Sequence, residues 1–167
     1  MDVRAKTARK NIGKVSLPKC YQWILKAFNR NQAEGKRLLD FGCGFGQAQE
    51  ALEQLGFDYY GCDLENRGQQ SKWFNSQDAY QHGQVFDVVV MSNVLNVQAN
   101  EEQVLDAVRG GVVCLKDEGV LVYNYPDKPR KSNLSVPQIE ALVKQVTVDE
   151  VNAMRGRGFT IYEVFVL

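Results

Sequence analysis

An apolar run that breaks through three glycines into an amphipathic stretch leaves this chain few folds to choose from. Arg37 to Phe41 is short and apolar, the pattern of a buried strand. Gly42, Gly44 and Gly46 follow, and Ala48, Ala51, Leu52 and Leu55 then recur on one helical face. A strand that turns through glycine into a helix brings bare backbone N–H groups to the helix N-terminus. A nucleotide-like ligand can approach closely there.

Spacing narrows the ligand. The dinucleotide fingerprint G-x-G-x-x-G would need its third glycine at position 47, where Gln47 stands. The pattern is instead G-x-G-x-G, with the acid Asp40 two residues ahead of Gly42. It resembles motif I of the class I S-adenosylmethionine (SAM)-dependent methyltransferases. That resemblance implies SAM as cofactor, with Asp40, Gly42, Gly44 and Gly46 forming the loop under its methionine and ribose.

At 167 residues the chain is long enough for one domain with a sizeable core. No apolar run approaches the roughly 18 residues of a membrane span. The N-terminus is polar and basic, so the expectation is a soluble, cytoplasmic protein (host cytoplasm if phage-encoded) without membrane association. Cys20, Cys43, Cys62 and Cys114 form no C-x-x-C pair, and His82 is the single histidine. Buried thiols are expected, and neither a metal site nor a histidine-based catalyst. Charge is unevenly placed: residues 1–37 hold ten Lys/Arg against Asp2 and Glu34, which leaves ten basic and eighteen acidic residues beyond. Such asymmetry predicts a basic lead-in over residues 1–17, Arg9 and Lys10 included, for an acidic partner such as nucleic acid. A merely solvated terminus has the same composition.

The rest reads as a single domain over residues 18–167. A helix is predicted for 18–30, with Tyr21, Ile24, Leu25 and Phe28 on one face. A second strand, Asp58 to Cys62, ends at Asp63, about where an acid meets ribose hydroxyls in nucleotide-binding α/β folds. Lys72 to Asn75 is a weak third strand. Phe86 to Met91 is the cleanest buried strand, and Asn100 with Gln103 can box the helix after it. Val120 to Tyr125 forms a fifth strand, stopped by Pro126. Ser135 caps a helix to about Gln145, and the segments 146–154 and 159–167 flank Arg155-Gly-Arg-Gly158 as a hairpin. The order of these elements matches the family. The predicted fold is a doubly wound α/β, mostly parallel seven-stranded sheet with a C-terminal antiparallel hairpin and helices on both faces.

By the same resemblance, Asp63 serves the ribose, Asp78 and Ala79 the adenine, and Ser92, which with Asn93 borders the transferred methyl, is a further cofactor-binding residue also placed to hold an acceptor. Asn93, Asn96, Tyr123 and Tyr125 are polar groups placed to hold an acceptor, with Asn93 and Tyr125 the candidates for catalysis. Topology brings Lys128, Arg130, Lys131, Arg155 and Arg157 to the rim at the strands' carboxyl ends, which favours an anionic substrate. Adenine-methylating enzymes carry Asn/Asp-Pro-Pro-Tyr after the fourth strand, whereas Ser92-Asn-Val-Leu95 stands here. A finer likeness joins Thr7 to Asn11, Pro18, Leu39 to Gly44 and Asn93 to Val97. These look like a group of small methyltransferase-like proteins of phages and bacterial DNA-modification loci. The readings open at this point are a methyltransferase of an unidentified acceptor, a non-catalytic SAM-binding or nucleic-acid-associated module, and a nicotinamide oxidoreductase. Gln47 argues against the last. The oligomeric state has no signature in the sequence.

Overall fold

The computed structural model describes residues 16–147 and 150–166. One seven-stranded sheet runs through them in the order β3-β2-β1-β4-β5-β7-β6. The strands are β1 (Arg37–Phe41), β2 (Asp58–Asp63), β3 (Trp73–Asn75), β4 (Phe86–Met91), β5 (Leu115–Pro126), β6 (Glu150–Arg155) and β7 (Phe159–Phe165). Every neighbouring pair is parallel except that β7 runs antiparallel to both β5 and β6. The expected doubly wound sheet with a terminal hairpin is thus the observed fold.

Strand alternation divides the core into two layers. Leu38, Tyr59, Val88, Val90 and Val122 face α1 (Lys19–Ala27) and α3 (Gln49–Leu55). Leu39, Val89, Met91, Leu121 and Tyr123 face α5 (Glu101–Val112) and α6 (Val136–Val146). Gly111 lets α5 lie close on the sheet, because a side chain there would run into Met91. None of the described helices is long and apolar enough to cross a membrane.

Three boundaries differ from the sequence reading. The helix expected over 18–30 stops at Ala27, and α2 (Arg30–Ala33) begins anew because Asn29 and Gln32 close a reciprocal capping box. At Asn100 the side chain accepts from the Gln103 N–H, but the Gln103 carboxamide accepts from Ala99 N–H, so only half of that box forms. The fifth strand starts at Leu115, which pairs with Phe86 across a register shift before the regular ladder resumes at Val88. The box at Ser135 and Gln138 is complete.

Candidate active site

β1 carries Asp40 into the interior, on the layer that α1 covers. Tyr21 of α1 donates to Asp40 Oδ1 at 2.7 Å and Tyr59 of β2 donates to Oδ2 at 2.6 Å. Burial pushes this carboxyl up to about 6; the two phenols pull it down, and nearby Asp63 adds a smaller push upward. The chain then turns through Gly42, Gly44 and Gly46 with φ of +81°, +57° and +73°, the left-handed region that favours glycine. The N–H groups of Gly42 and Cys43 donate to Cys62 O at 2.8 and 3.0 Å, which ties the turn to the tip of β2.

Asp63 lies at that tip, half-buried, and receives the Gly44 N–H on Oδ2 and the Leu64 N–H on Oδ1, both at 2.8 Å. Each carboxylate oxygen keeps a further lone pair for an incoming donor. Behind the turn, the Gln70 carboxamide accepts from Cys43 Sγ at 3.2 Å and donates to Gln49 Oε1 at 3.0 Å. It occupies the space where side chains on Gly46 and Gly61 would begin.

The opposite wall comes from β4 and β5. Asn93 takes a left-handed φ of +56°, which asparagine tolerates better than most residues. Its N–H donates to Asn124 Oδ1 at 2.7 Å, and Asn124 Nδ2 donates back to Asn93 Oδ1 at 2.8 Å. A cleft of about 940 Å³ lies between the glycine turn and this wall, bounded also by Ser76, by Ser16, Pro18, Lys19 and Tyr21, and by Phe159. That volume falls within the range of cofactor and small-molecule sites.

The cleft gathers some of the sequence candidates and leaves out others. Gly42, Gly44, Asp63, Ser92, Asn93, Asn96, Lys128, Arg130 and Lys131 line it. Asp40 does not, being sealed beneath the turn by its two phenols. Gly46 shapes the turn from behind. Asp78 is exposed and Ala79 fully buried, because Asn75 accepts from the Gln77 N–H and starts a 3-10 turn that presents Ser76 to the cleft instead. Tyr125 points into the α6 layer, where its hydroxyl donates to Leu134 O at 2.6 Å and lies 2.9 Å from Ser132 Oγ. Tyr123 likewise stacks on Tyr162, ring centroids 4.6 Å apart. Arg155 and Arg157 are exposed outside the lining, Arg155 approaching Glu140 at 4.0 Å. Arg9 and Lys10 lie outside the described residues. The sequence reading missed Lys19, Tyr21, Phe45, Ser76, Gln98, Asn124 and Phe159, all of which line the cleft.

A glycine turn after the first strand, an acid at the tip of the second and a cleft where strand order reverses define a nucleotide-cofactor α/β domain. The chain belongs to the methyltransferase domain family, whose profile matches residues 14–163. It is a class I SAM-dependent methyltransferase, and that family's cofactor is SAM. Among solved structures it is similar to a TehB-like SAM-dependent methyltransferase from Corynebacterium glutamicum (20% identity, TM-score 0.71, 92% of this chain and 89% of that one). It is also similar to the SAM-bound magnesium protoporphyrin IX methyltransferase of Synechocystis (18%, 0.65, 88% and 76%). A third likeness is to the N-methyltransferase NodS of Bradyrhizobium japonicum (15%, 0.63, 89% and 97%). None of the curated proteins matches the sequence.

The lining fits the family's cofactor. A side chain on Gly42 would begin 2.7 Å from Val94 Cγ2, so the turn stays bare on this side of the wall. Asp63 stands beside it with unused lone pairs.

Proposed function

We propose that the cleft binds SAM between the glycine turn and Asp63, and that the enzyme methylates an anionic acceptor. The charge of the lining carries this reading. Lys19, Lys128, Arg130 and Lys131 line the cleft, and among the described residues its one lining carboxylate is Asp63. Asp63 already accepts two backbone N–H groups and belongs to the cofactor side. SAM carries a single carboxylate, so most of the four cations remain for the acceptor.

When bound, SAM supplies a methyl on a sulfonium, displaced in line by an acceptor's lone pair while the carbon–sulfur electrons return to sulfur. The chain's own part is alignment. Asp63 would accept from the ribose hydroxyls, the bare turn would admit the cofactor's backbone-facing edge, and the Asn93–Asn124 pair would hold the β4 and β5 tips at a fixed spacing. The rim suits nucleic acid and smaller anions alike.

Calorimetric titration with SAM and S-adenosylhomocysteine should give saturable one-site binding. Radiolabelled methyl transfer from SAM would then be screened against DNA, RNA and cell extract. The triple variant Lys128→Ala, Arg130→Ala, Lys131→Ala should keep S-adenosylhomocysteine affinity and lose transfer. No binding by folded protein would remove the cofactor assignment. Undiminished transfer by the triple variant would remove the anionic acceptor.

A further inference from the structure

Five buried side-chain N or O atoms among the described residues have no hydrogen-bond partner. Three of them sit in one short stretch of the cleft wall: Ser92 Oγ, Asn96 Oδ1 and Gln98 Oε1. Native interiors leave few such groups unpaired, since each forfeits its hydration without replacement. Gln98 is 1% exposed and Ser92 8%. The orientation of Gln98 is fixed, because its Nε2 donates to Val94 O at 2.7 Å, so the unpaired atom is the oxygen. The segment thus holds one oriented carboxamide oxygen at Gln98, one hydroxyl at Ser92 and the Asn96 carboxamide awaiting partners.

Those atoms call for a donor. The Gln98 oxygen only accepts, so a carboxylate, ester or ketone could not complete it; an O–H or N–H donor could, and a group with two or more N–H bonds can serve Gln98 Oε1 and Ser92 Oγ together. Lys128, Arg130 and Lys131 line the same cleft and supply the complement for negative charge. We propose that the Ser92–Gln98 segment is a receptor for an amino group, and that the acceptor is an amino-bearing anion. This rests on the cleft being the methyl-transfer site. An amine also asks least of this lining. The nitrogen attacks as the neutral amine and releases its proton to solvent once the new carbon–nitrogen bond has formed, so no base has to ionise it beforehand, and Asp63, the lining carboxylate, is already engaged by Gly44 and Leu64.

Two sources share this chemistry: the amino-substituted base of a nucleotide, and an aromatic amino acid anion of the aminobenzoate type. The test uses protein saturated with S-adenosylhomocysteine, so that probes cannot enter the cofactor pocket. Two pairs are titrated by calorimetry, cytidine against uridine 5′-monophosphate and anthranilate against benzoate. The amino member of at least one pair should bind about tenfold tighter or better, the factor that one well-made buried hydrogen bond supplies. The pair that discriminates names the source. Ser92→Ala and Asn96→Ala should each erode the preference while S-adenosylhomocysteine affinity holds. Ser92→Ala should also melt no lower than wild type, because it deletes a hydroxyl that has no partner to lose.

Equal binding within both pairs, with S-adenosylhomocysteine bound normally, would overturn the amino-group receptor and leave the cofactor reading standing. Weaker S-adenosylhomocysteine binding in Ser92→Ala and Asn96→Ala would overturn it differently, by assigning the wall to the cofactor's own amino group. Failure of wild type to bind S-adenosylhomocysteine would remove the reading beneath it.

Discussion

Asp40→Asn should stabilise the protein at neutral pH relative to mildly acidic pH. Asp40 is fully buried, and its carboxyl is raised from the ordinary 3.8 to about 6 by that burial. A displacement of that size is worth about 3 kcal/mol. Below the unfolded value the group is protonated in both states, and the stability linked to it is fully present. As pH rises through 6 the folded chain must ionise a buried carboxyl, and that stability is lost. Between pH 4.5 and 7.5 the loss integrates to about 2 kcal/mol, the remainder falling at lower pH. An asparagine has no such dependence. Its oxygen can still accept from Tyr21, and its amide can donate to Tyr59 if that phenol turns to accept. Urea denaturation of both proteins at the two pH values provides the measure. The difference between variant and wild type should move by about 2 kcal/mol in the variant's favour from the lower to the higher pH. A difference that is the same at both would refute the picture of a buried carboxylate held against its own desolvation.

Asp63→Ala should weaken S-adenosylhomocysteine binding by about 1–3 kcal/mol in calorimetry, since a charged acceptor is lost; unchanged affinity would take the ribose role from Asp63. Tyr125→Phe should lower stability by about 1–2 kcal/mol in a thermal or urea melt, leaving Leu134 O without its donor, while S-adenosylhomocysteine affinity stays constant. Abolished methyl transfer at unchanged stability would instead return Tyr125 to the chemistry. Gly42→Ala places a side chain at φ +81°, 2.7 Å from Val94, and should cost about 1–3 kcal/mol of stability together with cofactor affinity. A variant that melts and binds like wild type would show that the turn is more pliant than its packing implies.

The parts of the site that could be read from sequence are those encoded over a few adjacent residues. Arg37 to Gly46 specify strand, turn and helix entry by local pattern, and Asp63 follows from the length of one helix and one strand. Ser135 and Gln138 announced their helix by the same local logic. What escaped depends on pleat and on distant partners. Asn124 and Tyr125 are neighbours at the end of β5, yet alternation turns Asn124 to the cleft and Tyr125 to Leu134 and Ser132. Counting back from the strand end could not choose between them, because nothing in the local sequence says which face α1 covers. Asp78 failed to reach the cleft for a related reason: the polar stretch before β4 has no periodicity, and one side-chain cap at Asn75 sets which residue faces inward. Asp40 looked like a ligand-facing acid, but Tyr21 and Tyr59 close over it from positions nineteen residues to either side.

The cleft is lined from Ser16 near one end of the described chain to Phe159 near the other, with contributions from the tips of β1, β2, β4 and β5 between. A ligand seated there therefore acts as a crosslink across the whole topology, since no contiguous fragment holds all of its contacts. Mass action then raises the opening free energy of every element that touches it, by about 2.7 kcal/mol at a hundredfold excess over the dissociation constant. Amide hydrogen exchange slowed together in α1, the glycine turn and β7 would be the imprint of such a crosslink. The glycine turn, clamped from behind by Gln70, would be the most firmly held end of the crosslink.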